Sequence, residues 1–80
     1  MVIHKYDITN GEADMPRGAK ILSAGYQGTS LMVWAAGEEN AHLERREFKI
    51  VPTGRPSELT YCTFINTVFN HGLVFHIYWY

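Results

Sequence analysis

Apolar and polar residues alternate along much of this chain, and such alternation predicts β-strands. In residues 2–8, Tyr6 and Ile8 fall on one face while Lys5 and Asp7 fall on the other. This pattern is typical of a half-buried strand. Alternation or runs of apolar, β-branched and aromatic residues predict five more strands, at residues 20–26, 31–36, 43–51, 61–65 and 73–80. Residues 31–36 are apolar on both faces, so we expect this strand at the centre of a sheet.

Turn-forming residues separate these segments. Residues 9–19 read as a loop, and residues 15–18 fit a type I turn with Pro16 second and Gly18 fourth. Gly25, near the end of its strand, suggests a bulge or a close backbone approach. Residues 66–72 are expected to turn, because residues 70–72 (Asn-His-Gly) tolerate positive φ.

Residues 41–51 are ambiguous. Good helix formers in residues 41–47 make a short helix near residues 38–47, and hence an α+β fold, an alternative. However, the segment has no helical apolar stripe, and Phe48 and Ile50 alternate with charged neighbours. We therefore favour a solvent-edged strand here. The whole pattern predicts a single all-β domain over residues 1–80, with about six short strands in an antiparallel meander that forms a small barrel or two-layer sandwich.

Composition narrows the functional classes. The chain is 46% hydrophobic and 14% aromatic, which argues against intrinsic disorder. Its formal net charge of −1 lacks the basic excess typical of nucleic-acid binders, although a local basic patch is compatible with it. The single Cys62 allows no intrachain disulfide, which suits a reducing compartment. No apolar run approaches the roughly 20 residues that span a bilayer, so we expect a cytoplasmic protein without membrane contact.

No motif indicates catalysis. The four histidines lack the spacing of a metal cluster, and the glycines match no phosphate-binding loop. His76 and Cys62 could meet across neighbouring strands as a thiolate–imidazole pair. A buried, inert thiol explains Cys62 better, because free cysteines are usually of that kind. We therefore expect no enzymatic activity, no metal site and no cofactor.

Five residues are candidates for an interaction surface. The final strand continues to the last residue as Tyr78, Trp79 and Tyr80, without a polar tail. An apolar chain end must be paired or covered, and Trp and Tyr are frequent hot spots of protein interfaces. Arg17 and Arg55 each occupy the apex of a proline- and glycine-containing turn, where functional residues often lie.

The ordered set of segments resembles a family of short, uncharacterised proteins of tailed bacteriophages and prophages. The resemblance rests on Lys5-Tyr6, on residues 15–23 (Met-Pro-Arg-Gly-Ala-Lys-Ile-Leu-Ser), and on Trp34-Ala35. It continues through residues 48–50 (Phe-Lys-Ile), 53–56 (Thr-Gly-Arg-Pro) and 73–77 (Leu-Val-Phe-His-Ile). The chain departs from this pattern in residues 60–72 and in its final three residues. The resemblance implies a phage origin. It implies no activity, and therefore no functional role for any residue of this chain.

These observations lead to one main functional hypothesis. We expect a small phage-encoded accessory protein that binds and blocks a host macromolecule, such as a bacterial defence complex of the CRISPR–Cas type. Its partner would be a host or phage protein complex. One alternative is a small-ligand or nucleotide sponge, with a pocket formed between the protomers of a homo-oligomer. Another is a single-stranded nucleic-acid-binding module that uses its aromatic residues as stacking platforms.

Overall fold

The computed structural model describes all 80 residues and contains seven strands and no helix. It thus has no helix that could cross a membrane. The strands are β1 (Val2–Asp7), β2 (Glu12–Pro16), β3 (Lys20–Gln27), β4 (Ser30–Gly37), β5 (Leu43–Pro52), β6 (Thr63–Asn70) and β7 (Leu73–Trp79). The prediction of an all-β antiparallel fold is confirmed. The alternative helix near residues 38–47 is not formed, because the alternation around Phe48 and Ile50 continues back to Leu43 in one strand.

The strands form two antiparallel sheets. The smaller has the order β1-β4-β3, and the larger has the order β2-β5-β7-β6. Only β3–β4 and β6–β7 are hairpins of consecutive strands; the other neighbours are distant in sequence. The expectation that the doubly apolar strand is central is confirmed, since β4 lies between β1 and β3.

The core lies between the two sheets. Leu31, Val33 and Ala35 of β4 face it from the smaller sheet, and Phe48 and Ile77 face it from the larger. The alternate residues of each strand point away from the core, as the two-residue period of a strand requires. One cluster of buried side chains therefore joins both sheets into a single unit.

Strand β2 was not predicted, and the loop expected at residues 9–19 is wrong in this part. Met15 is fully buried, and Asp14 pairs with Arg45 of β5. The turn that follows is also displaced by one residue. The Ala19 N–H donates to the Pro16 carbonyl (3.0 Å), and Gly18 has φ +77°, so Pro16 is first and Gly18 third, as in a type II turn and not the predicted type I turn. Strand β2 pairs with residues 43–47 of β5 and β7 pairs with residues 48–52, so each half of β5 keeps one side without a strand partner, as expected from its charges.

Strand β6 is longer and later than predicted. It runs to Asn70, and the turn shrinks to His71 and Gly72, whose φ angles are +49° and +79°. The positive φ expected in residues 70–72 is thus confirmed at two of the three positions. In β3 the bulge lies between Ile21 and Ser23 rather than at Gly25, whose surface is instead covered by the Trp34 ring.

Asn66 joins the two sheets along one seam. Strands β3 and β6 are the free edges of different sheets, and they lie side by side. The side-chain amide of Asn66 accepts a hydrogen bond from the Ala24 N–H (2.7 Å) and donates one to the Ala24 carbonyl (2.9 Å). The amide therefore pairs with the Ala24 backbone as a peptide group of a neighbouring strand would.

Residues 53–62, named the strap here, cross the outer surface of the larger sheet. Strands β5 and β6 each pair antiparallel with β7, so they run parallel to each other and need a crossover connection. Lys49 points away from the core, and its Nζ donates to the Glu58 carbonyl of the strap. At the other end of the strap the Thr53 hydroxyl lies 2.7 Å from Nε2 of His76, which also points away from the core. The crossover therefore passes over the outer surface.

Candidate functional site: the aromatic row of the larger sheet

The two-residue period of β7 separates the three terminal aromatic residues. Trp79 shares the core-facing side with Ile77 and packs against the core. Its ring lies 4.7 Å from the guanidinium carbon of Arg46. Tyr78 and Tyr80 alternate with Trp79, so they belong to the outer surface. Only these two of the three residues can contribute to a common surface.

Phe64 lies on the same outer surface as the two tyrosines and packs against Tyr78. It lies directly opposite Tyr78 in the β6–β7 pairing, and their ring centroids are 5.3 Å apart in an edge-to-face arrangement. Phe64 is 52% exposed and Tyr80 is 49% exposed. The Lys49 Nζ lies 5.9 Å from the Tyr80 ring centroid, within the range of a cation–π contact. We call Phe64, Tyr78 and Tyr80 the aromatic row.

The aromatic row is held on a rigid support. Strand β7 is hydrogen-bonded to β5 on one side and to β6 on the other. The pairing continues to the chain end, because the Tyr80 N–H donates to the Glu47 carbonyl (3.2 Å). A row fixed in this way loses little backbone entropy when a partner covers it, which favours binding.

The β2–β5 half of the same surface is charged. Arg45 donates to Asp14 (2.8 Å) and to Glu12 (2.5 Å) across the strand pair. The hydrogen bond and charge of Asp14, with the charge of Glu12, raise the pKa of Arg45 above its ordinary value. These groups are exposed, so the pairs add little stability. With two carboxylates around one guanidinium, this half of the surface is not basic.

His76 occupies the middle of the outer surface between two hydroxyl groups. Its Nε2 lies 2.7 Å from the Thr53 hydroxyl, and its Nδ1 lies 2.9 Å from the Thr67 hydroxyl. Cys62 precedes β6 and lies five residues before Thr67, the pairing partner of His76. The thiolate–imidazole pair considered from the sequence is therefore not formed, and Cys62 is only half-buried.

A family model described as "Domain of unknown function (DUF7352)" matches residues 1–80. The chain belongs to this family. The match spans both sheets, the strap and the aromatic row. No curated protein and no solved structure matches the chain.

In this DUF7352 chain the two turn arginines lie far from each other. The Arg17 N–H bonds to the His42 carbonyl at the start of β5, whereas the Arg55 N–H bonds to the Pro52 carbonyl at its end. Ten residues of extended strand separate these points, which corresponds to about 30 Å. The structure therefore does not bring the five predicted interaction residues together. Of the five, only Tyr78 and Tyr80 follow each other on one face of the sheet.

Sequence reasoning missed two members of this DUF7352 surface, Phe64 and Lys49. Each lies opposite Tyr78 on a neighbouring strand. Both were assigned to strands, but the pairing register that aligns them with Tyr78 depends on β7 being inserted between β5 and β6. No local pattern indicates that insertion. No group of three or more His, Cys, Asp or Glu side chains is close enough to hold a metal ion.

Proposed function

We propose that this protein is a non-enzymatic binding protein whose aromatic row docks on a protein of a bacterial host and blocks it by occlusion. The observation that carries the proposal is that Phe64 of β6 packs against Tyr78, with Tyr80 two residues further on the same face of β7, a strand paired on both sides. Exposed aromatic residues on a rigid support are the usual energetic centre of a protein interface. The host target, including a defence complex of the CRISPR–Cas type, follows from the resemblance to phage proteins alone.

The charges beside the row favour a protein partner over a nucleic acid. Glu12 and Asp14 outnumber Arg45 on the adjoining half of the surface, and the formal net charge of the chain is −1. Phosphate groups need clustered positive charge, and most of the affinity for nucleic acids comes from such contacts. A protein surface with a hydrophobic patch and a basic rim suits this arrangement better.

The test compares variants of the exposed row. Phe64→Ser and Tyr80→Ser remove half-exposed side chains, and Phe69→Ser is the matched control because Phe69 is 71% exposed at the far end of β6. We expect the tagged wild type and the Phe69 variant to bind one host protein stoichiometrically and to inhibit its purified activity. The Phe64 and Tyr80 variants should lose both binding and inhibition. Equal binding by all four proteins would contradict the proposal.

A single-stranded nucleic acid is the second candidate, because the same row could stack bases. This alternative predicts quenching of tyrosine and tryptophan fluorescence by oligonucleotides at low salt, with loss of quenching as salt rises. Quenching that disappears in Phe64→Ser but not in Phe69→Ser would favour it over a protein partner.

A further inference from the structure

The edges of the two sheets meet at two seams, and only one of them is closed. At the β3–β6 seam the Asn66 amide bridges the sheets. At the other seam, β1 and β2 leave the turn at Ile8–Gly11 and are not paired with each other. An open cleft of about 340 Å³ lies there. It is lined by His4, Tyr6, Pro16, Glu39 and Leu43.

Strand β1 presents a free hydrogen-bonding edge beside this cleft. The Ile8 N–H donates to the Leu31 carbonyl of β4 (2.8 Å), which fixes the alternation of the strand. Since successive residues of a strand direct their N–H and C=O groups to opposite sides, Ile3 and Lys5 direct theirs away from β4. No other strand pairs with β1 on that side. Strand β2, by contrast, is five residues long and ends in Pro16, which has no N–H to offer.

The lining of the cleft specifies one kind of side chain. Glu39 is its only formally charged residue, is exposed, and forms no salt bridge. Leu43, which is 68% exposed, and Pro16 supply aliphatic surface, and Tyr6 supplies an aromatic ring. A lysine or arginine side chain matches all three features. Its stem packs on aliphatic groups, while its cationic end pairs with a carboxylate and an aromatic ring.

We propose that the β1 edge binds an extended polypeptide segment of a partner protein, which adds to the smaller sheet and places a basic side chain in the cleft. The residue of the segment opposite His4 would direct its side chain to the same side of the sheet as His4 and Tyr6. The two residues that flank it would exchange backbone hydrogen bonds with Ile3 and Lys5. Backbone pairing provides affinity and the cleft provides selectivity, as in other strand-addition complexes. This site is separate from the aromatic row and does not depend on it.

The probe is a synthetic peptide, acetyl-Thr-Val-Thr-Lys-Thr-Val-Thr-amide, titrated into the ¹⁵N-labelled full chain. We expect saturable shifts at the Ile3 and Lys5 amides, with slowed hydrogen exchange there. Replacing the lysine of the peptide by norleucine should weaken binding about three- to ten-fold, the range expected for one partly exposed ion pair with a cation–π contact. Glu39→Gln should cause a smaller loss for the lysine peptide, because the cation–π contact with Tyr6 remains, and none for the norleucine peptide.

Glu38→Gln is the control variant, because Glu38 is the adjacent carboxylate and does not line the cleft. It should bind both peptides as the wild type does. Equal affinity for the lysine and norleucine peptides, or shifts confined to Phe64, Tyr78 and Tyr80, would overturn the proposal. So would absence of binding at millimolar peptide. Concentration-dependent protection of the β1 amides without peptide would assign the edge to a second copy of the chain and would equally overturn it.

Discussion

Replacing Asn66 by alanine should weaken the contact between the two sheets along the β3–β6 seam. The amide makes three hydrogen bonds: two to the Ala24 backbone, at 2.7 and 2.9 Å, and one to the Thr67 carbonyl, at 3.2 Å. Ala24 is only 8% exposed, so its N–H and C=O have little access to water once the amide is removed. The substitution therefore leaves two backbone groups without protein partners and with only partial access to water.

The expected cost follows from those two groups. A buried donor or acceptor left without a partner costs about 1–3 kcal/mol, and partial hydration at the seam favours the lower half of this range. We expect Asn66→Ala to lower the free energy of unfolding by about 2–4 kcal/mol. An 80-residue domain has roughly 4–12 kcal/mol in total, at about 0.05–0.15 kcal/mol per residue. At about 4–8 °C per kcal/mol, the Tm should fall by roughly 8–30 °C.

Urea unfolding followed by tryptophan fluorescence would measure this change, and hydrogen exchange would locate it at the Ala24 amide. Asn70→Ala is the matched control, since Asn70 lies on the same strand, is half-buried and makes no side-chain hydrogen bond. Apart from its effect on the adjacent hairpin turn, this substitution should change the free energy of unfolding by less than about 0.5 kcal/mol. If Asn66→Ala and Asn70→Ala were equally stable, or if exchange at Ala24 were unchanged, the bridging role of the amide would be wrong.

Three further changes test other parts of the fold. Gly37→Ala would bring a Cβ within 3.1 Å of the Pro16 Cβ, so we expect a loss of about 1–3 kcal/mol in urea unfolding. His71→Asn should raise the Tm slightly, because asparagine adopts the observed φ of +49° more readily in a two-residue hairpin turn. Hydrogen bonds from Thr9 hold the pKa of Asp7 below its ordinary 3.8. Its stabilising effect is thus present above that pH and is lost as the pH falls through the folded value, so the stability difference between wild type and Asp7→Asn should be constant at neutral pH and shrink in acid.

The all-β class could be predicted from local alternation, and the central position of β4 from its being apolar on both faces. Strand β2 could not, because residues 12–16 are flanked by Gly11 and Gly18 and end in proline, all of which are turn signals. Its only apolar alternation is Ala13 and Met15, too short to decide between strand and loop. What makes it a strand is tertiary: Met15 is fully buried, and Arg45 pairs with Asp14 and Glu12 across the strand pair.

The strand predicted at residues 61–65 ends earlier than β6 for a different reason. Asn66 was taken as a turn former, as asparagine usually is. Here its side-chain amide forms hydrogen bonds with Ala24 of the other sheet, and the strand continues past Asn66 to Asn70. A side chain that replaces a backbone partner cannot be recognised before the pairing of the two edges is known. The same limit applies to the site, because the row of Phe64 beside Tyr78 exists only through the order of β5, β7 and β6.

Successive residues of β7 point to opposite faces of the sheet, and this determines how the roles of the last three residues can be tested. Deleting residues 78–80 would remove Trp79 from the core together with Tyr78 and Tyr80 from the surface, so unfolding and loss of binding would coincide. Single substitutions separate them. Trp79→Ala should cost about 2–4 kcal/mol, somewhat below the value for a fully buried ring, because Trp79 is half-buried. Tyr80→Ser should cost less than about 1 kcal/mol. If Tyr80→Ser were as unstable as Trp79→Ala, the outer tyrosine would be needed for the fold. The interpretation of the aromatic row as a binding surface would then be wrong.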